Sequence, residues 1–309
     1  MAAIISPGPD PALRRKREAI FPAAWLARRL PGVRRDQTIH VWGSCDVPGM
    51  LMQGSEGGPY IIGLAYVMSC VGCSLGLSAM VRARSAKGSA RERWLALGAV
   101  AIGGTGIWVM HFIAMLGYSL PNLQIRYNLP ITLASLLVAI AVVWFGLRFT
   151  LRGGSIGSVV PGGMVTGIGV AGMHYLGMAA MDVTATVHYR IWVVALSVLI
   201  AVTAATVALW FAANLDSAAA ILGAALVMGV AVCGMHYTGM AAMIVTTSSS
   251  TTVSGLTATQ LLGPLAIVVS ISTFAILLAI GLSPSAQEIE REAGIKENLR
   301  KLAVMRERS

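Results

Sequence analysis

Three histidines, His111, His174 and His236, lie inside long apolar stretches of this 309-residue chain. The segments around them read Met110-His111-Phe112-Ile113-Ala114-Met115, Met173-His174-Tyr175-Leu176-Gly177-Met178 and Met235-His236-Tyr237-Thr238-Gly239-Met240. The histidines are 63 and 62 residues apart, and a glycine stands seven residues before each, at Gly104, Gly167 and Gly229. Imidazole nitrogen and thioether sulfur are both electron-pair donors, and the sulfur is soft. A mixed His/Met set therefore favours copper, Cu(I) in particular, over magnesium or calcium. On a helix, the methionine four residues after each histidine shares its face. This pairs His111 with Met115, His174 with Met178 and His236 with Met240, and Met181 and Met243 prolong two of these stripes. The preceding methionines, Met110, Met173 and Met235, are rotated by about 100° and face a different neighbour. One such histidine would be explained by a hydrogen bond between helices. Three copies at matching positions, with no other histidine in any apolar stretch, point to a binding site.

The elements that position these residues follow from composition. Hydrophobic residues make up 56% of the chain, charged residues 12%, and the mean hydropathy is +0.74. These values exclude disorder and a soluble enzyme. Seven stretches are long and apolar enough to cross a bilayer as helices, near Tyr60–Met80, Trp94–Gly117, Leu129–Leu147, Ser158–Met181, Ile191–Ala213, Ala218–Met243 and Gln260–Leu282. None contains Asp, Glu, Lys or Arg, which weighs against a hard-cation site, a proton relay and an ion pump. The expected fold is an all-α integral membrane protein of seven transmembrane helices, built on a three-fold repeated helical-hairpin motif. Gly177 and Gly239, with Ala114 in the first copy, follow each histidine by three residues, where small side chains let helices approach closely.

Charge sets the direction. Arg82, Arg84, Lys87, Arg91 and Arg93 follow the first span, Arg148 and Arg152 the third, and six basic residues lie in the tail, against Arg126 and Arg190 across the membrane. Basic residues near spans stay in the cytoplasm, so the N-terminus is expected outside and the C-terminus inside. All three histidines then share one depth, roughly 10 Å below the outer face. The net charge of +10 is mostly an orientation signal plus the N-terminal segment, and nucleic acid is not expected as a partner. Residues 1–59 are rich in Pro, Arg and Gly and hold no span or signal peptide, so they read as a disordered extension or a misassigned start, with Met50 or Met52 beginning the natural chain. Residues 60–282 form the membrane domain, and 283–309 a cytoplasmic tail in which Ile295, Leu299, Leu302 and Met305 suit a short amphipathic helix.

Cys70, Cys73 and Cys233 lie in spans one and six near the histidine layer; they are either additional soft ligands or small buried apolar side chains. His40 and His188 fall outside the spans and are read as solvated.

The repeated segments resemble the MHYT family of bacterial integral-membrane sensor domains. Met235-His236-Tyr237-Thr238 matches all four letters, the second copy has Leu176 in place of Thr, and the first reads Met-His-Phe-Ile. The resemblance covers roughly residues 60–282 and includes copy number, spacing and membrane face. It implies a copper site near the outer face of the bacterial cytoplasmic membrane that senses oxygen, carbon monoxide or nitric oxide. The residues it points to are His111, His174 and His236 with Met115, Met178 and Met240, and secondarily Met110, Met173 and Met235. Relatives often carry a diguanylate cyclase or cyclic-di-GMP phosphodiesterase domain, whereas 27 residues after the last span cannot fold into one. The expectation is a stand-alone sensor, not an enzyme, that signals to a separate cytoplasmic protein. Two rivals remain open: haem held by two of the three histidines, and copper transport or delivery.

Overall fold

The computed structural model describes residues 58–119, 124–151, 156–247, 253–283 and 294–295. The N-terminal extension with His40, and the tail positions Leu299, Leu302 and Met305, lie outside the described residues. Seven helices are long and apolar enough to cross a membrane. They are α1 (Gly58–Ser85), α2 (Gly88–Leu116), α3 (Leu129–Thr150), α4 (Ile156–Ala179), α5 (Ile191–Asn214), α6 (Ala218–Ala241) and α7 (Ala258–Leu282). Their starts carry recognisable caps. Asn128 accepts from the Ile131 amide ahead of α3, Ser217 from the Ala220 amide ahead of α6, and Thr257 with Gln260 forms a reciprocal capping box on α7. The chain is an all-α integral membrane protein.

At the end remote from the histidines, arginines satisfy carbonyls that the ends of α5 and α7 leave unpaired. Arg82 donates to the Ile280 carbonyl at 2.8 Å and lies over the Trp94 ring. Arg84 donates to the Ala212 and Leu215 carbonyls at the end of α5 and pairs with Asp216; Arg148 pairs with Glu92.

Helices α1 to α6 form a closed ring in which each packs on its chain neighbours and α6 returns to α1. Helix α3 packs between α2 and α4, and α5 between α4 and α6; the place between α6 and α2 belongs to α1. Helix α7 lies outside the ring, against α1 and α2. Close contact between α1 and α2 depends on glycine: a Cβ on Gly72 would overlap the backbone of Gly106, and one on Gly76 would overlap Ile102.

Helix α2 is not uniform. Val100–Val109 is wound as a π-helix between two α-helical pieces, Gly88–Ala99 and Met110–Leu116. Long π segments are rare and concentrate at functional sites; this one leads directly into Met110 and His111.

The loops at the histidine end contain four short strands. β1 (Ile125–Tyr127) pairs antiparallel with β2 (Met181–Val183), and β3 (Ala185–Tyr189) with β4 (Met243–Thr247). Tyr127 also bridges to Leu256, so the three loops are linked in a circle. Met181 and Met243 therefore begin strands instead of prolonging helical stripes: α4 and α6 stop at Ala179 and Ala241, where ladder partners take over the backbone groups.

Candidate metal centre

Each histidine stands five residues before the end of its helix, in α2, α4 and α6 alike. That puts all three at one level, about 7.5 Å inside the helix ends at 1.5 Å per residue, slightly shallower than the span boundaries suggest. The rings meet. Their centroids are 4.9, 5.0 and 5.1 Å apart and each pair is close to edge-on, with interplanar angles of 76°, 79° and 90°. The Nδ1 atom of His111 lies 3.0 Å from that of His236 and 3.1 Å from that of His174. One ligand atom from each histidine falls within 4.8 Å of the others, and all three side chains are buried.

Two glycines make this approach possible. A Cβ built on Gly177 would overlap Nε2 of His111, and a Cβ on Gly239 would overlap Nε2 of His174. Each glycine three residues past a histidine thus admits the ring from the preceding repeat. The ring is also held by the aromatic residue that follows it. Phe112, Tyr175 and Tyr237 meet their own histidines edge to face at 5.0 to 5.1 Å. Tyr175 is tied to Ser197 by a 2.7 Å hydrogen bond, and Phe112 packs on Trp108, whose indole N–H donates to Ser135.

The nitrogens cannot all be satisfied by one another. Nε2 of His111 and of His174 is buried without a hydrogen-bond partner, whatever the tautomer. A neutral imidazole carries one proton, so a proton shared between two Nδ1 atoms leaves the third facing a lone pair or a second hydrogen. A cation at the centre resolves that conflict by taking lone pairs from all three Nδ1 atoms. Nitrogens about 2.0 Å from a common first-row cation stand roughly 3.5 Å apart, so the two short contacts of His111 need to open by only about 0.5 Å. Among the described residues, no Asp, Glu or Cys joins the cluster. The donor set is all imidazole, which suits first-row transition metals such as zinc, copper, iron or nickel better than magnesium or calcium.

The methionines are spread around this centre. Met115, Met173, Met178 and Met235 are buried in the main core, with Met240 half-buried at its margin. Met110 packs in a separate cluster with Ala65, Ala114 and Cys233 beside α1. Towards the remote end, Cys73, Met228 and Met235 help line an apolar cavity of about 50 Å³. Towards the strands, Met178, Met181 and Met243 help line one of about 110 Å³. Both are far below the ~300 Å³ from which cofactor pockets begin, so neither accepts a porphyrin. His188 is exposed on β3, as expected for a loop histidine.

Tyr127 is a residue that sequence reasoning passed over. From β1 its buried hydroxyl donates to the Met115 carbonyl at 3.0 Å, closing the end of the first motif helix. Burial holds its phenol well above the ordinary tyrosine range, so it stays a neutral donor. A tyrosine in a polar loop gives no sequence sign of this role.

The repeat recurs in known proteins. The family described as a bacterial signalling protein N-terminal repeat, MHYT, matches three times, at residues 104–161, 167–225 and 229–289. Each match begins within the turns that precede a histidine. The cyclic di-GMP phosphodiesterase NbdA of Pseudomonas aeruginosa is 34% identical over 223 residues, 70% of this chain and 28% of that protein. The bifunctional diguanylate cyclase/cyclic di-GMP phosphodiesterase MucR of the same organism is 39% identical over 193 residues, 59% of this chain and 27% of its own length. The signalling protein YkoW of Bacillus subtilis is 28% identical over 190 residues, 59% of this chain and 23% of its own. The chain thus spans about a quarter of the length of these relatives, and the three family repeats fall within its membrane region. No solved structure matches it. With three repeats in register with three convergent histidines, the chain belongs to the MHYT family of bacterial membrane signalling proteins.

Proposed function

We propose that this chain is the sensing unit of a membrane signalling system and that it binds copper through His111, His174 and His236. The observation that carries this reading is the convergence of three buried imidazoles on one point with no carboxylate in the cluster. In this reading Met115, Met178 and Met240, one turn further along the same helices, add thioethers to the ligand set, with Met110, Met173 and Met235 in secondary roles. Copper supplies a soft centre able to take a diatomic gas such as oxygen, carbon monoxide or nitric oxide. The protein's own part is to hold three helices by one point, to keep water and hard donors away, and to let α2, α4 and α6 move together when that point changes. A ligand shifts this arrangement only by the difference in its affinity for the two states.

The arginine-rich end opposite the histidines supports an orientation with the site near the outer face and the C-terminus in the cytoplasm. The membrane region passes its signal to the cytoplasmic side. The diguanylate cyclase and phosphodiesterase names of its relatives point to cyclic-di-GMP metabolism as the output. Metal analysis and absorption spectra of the detergent-purified chain test the proposal, with His111→Ala, His174→Ala and His236→Ala beside the wild type. Bound copper in the wild type and its loss in the variants is expected. Negligible copper in the wild type, or copper that survives all three changes, refutes the reading.

A further inference from the structure

We infer that the cavity beneath the β3–β4 ribbon is a second, thioether-only site for a soft monovalent cation, which receives the ion before the histidines do. The relay role rests on the copper reading of the histidine centre, whereas the binding site itself stands on its own residues. Eight residues line this cavity, and three are methionines: Met178, Met181 and Met243. They come from three different elements, the last turn of α4, the first residue of β2 and the first residue of β4. The walls are otherwise apolar, from Ala179, Val183, Val187 and Val245, with Tyr189 as the one further polar-tipped side chain.

The chemistry narrows the ligand. Thioethers are neutral and soft, and a site with no carboxylate gives nothing to magnesium, calcium or zinc. Cu(I) and Ag(I) are the ions that neutral sulfur donors hold. The volume, about 110 Å³, exceeds what one water needs, while the lining has too few polar groups to bind ordered water well. An apolar filling would ordinarily be served by Leu or Ile, which pack with less flexibility than Met. Placing three methionines on one cavity, two of them at equivalent positions seven residues after His174 and His236, is a pattern that simple packing does not require.

Position supplies the role. The cavity lies between the strand cap and the histidine layer, and Met178 stands one helical turn from His174. Met178 is buried while Met181 and Met243 are half-buried, so the three thioethers form a path from the cap inward. An ion passing from sulfur to imidazole keeps its charge, since both donor types are neutral. No electron moves with it, and a proton held on Nδ1 shifts to Nε2 of the same ring as that nitrogen takes the ion.

Anaerobic titration of the full purified chain with Cu(I), against a chromophoric Cu(I) chelator, tests the site. The proteins are wild type, a Met181→Leu/Met243→Leu pair, and a His111→Ala/His174→Ala/His236→Ala triple. Leucine nearly conserves the methionine volume, so the pair is expected to fold. It should lose one bound ion per chain and keep the nitrogen-ligated one. The histidine triple should keep an ion whose X-ray absorption shows sulfur neighbours alone. Ag(I) added to the wild type should also protect Met181 and Met243 from peroxide oxidation, read by mass spectrometry, with no variant involved. Unchanged Cu(I) stoichiometry in the leucine pair, or no protection of these two methionines by Ag(I), overturns the proposal. Unchanged stoichiometry in the histidine triple instead overturns the reading of the histidine centre and leaves the methionine site standing.

Discussion

The first repeat and the two that follow bring their histidines to the same point by different means. In α2 the apolar stretch is 83% buried, against 50% in α4 and 44% in α6. Helix α2 is enclosed by its neighbours, and its Val100–Val109 segment is π-wound, with glycines pressed against adjoining backbones. A Cβ on Gly103 would stand 2.7 Å from the Ala139 carbonyl oxygen. Helices α4 and α6 are regular, and each offers a lipid-facing side, where Gly172 and Gly234 have open space around them. The difference teaches that the centre is not a symmetric cage. His111 is the hub, since its Nδ1 makes both short contacts, and its helix is the one whose winding departs from the regular.

The hub can be broken directly. His111→Ala should weaken Cu(I) binding at the centre most, by at least about 100-fold, the upper end of what even outer-shell losses cost. His174→Ala and His236→Ala each leave one facing pair and should cost less. Equal losses in all three, measured by chelator competition, would mean that the repeats are equivalent after all.

Small residues sharpen the contrast at the next level. Gly177→Ala and Gly239→Ala each drive a methyl group into a histidine ring and should destabilise the bundle by about 1–3 kcal/mol, with a matching fall in copper affinity. The first repeat already carries Ala114 there, so Ala114→Gly should cost only about 0.5–1 kcal/mol, as glycine does within a helix. Gly172→Ala and Gly234→Ala, with nothing within 4 Å, should stabilise by up to about 1 kcal/mol. Reversible unfolding in detergent ranks all five, and similar values for Gly177→Ala and Gly172→Ala would remove the argument from ring contact.

The smallest effect is at the mouth of the first repeat. Tyr127→Phe removes the bond to Met115 and should cost about 1 kcal/mol. Because burial raises the phenol's pKa in the fold, its contribution is complete below about pH 10 and is lost as pH rises further, when the unfolded chain ionises first. Unfolding midpoints followed from pH 8 to 11 should fall more steeply in the wild type than in Tyr127→Phe.

The spans and the shared depth of the histidines were legible because both depend on local rules. A bilayer demands long charge-free helices, and a motif spaced by one hairpin returns to the same level each time. The role of Gly177 and Gly239 was half legible: small residues announce close approach, but not that the approaching group is the histidine of the preceding repeat. The strand cap was not, since β1 and β2 have three residues each, too few for alternation to stand out, and their pairing joins distant loops. The π-winding of Val100–Val109 carries no periodic signature either. That segment packs closely against α1 and α3, contacts distant in sequence. The same holds for Met181 and Met243, whose spacing suits a helix until cross-loop ladders end it.

One consequence of the ring concerns parity. Six helices already close it, and a chain ending with α6 would start and stop on the same side of the bilayer. Helix α7 adds a seventh crossing from outside that closed ring and so brings Leu282 to the side opposite the histidine end. It begins beside the strand cap and finishes where Arg82 takes the Ile280 carbonyl, at the end remote from the histidines. Its place in the architecture is that of an address: it determines where the chain emerges, while the centre itself is assembled without it.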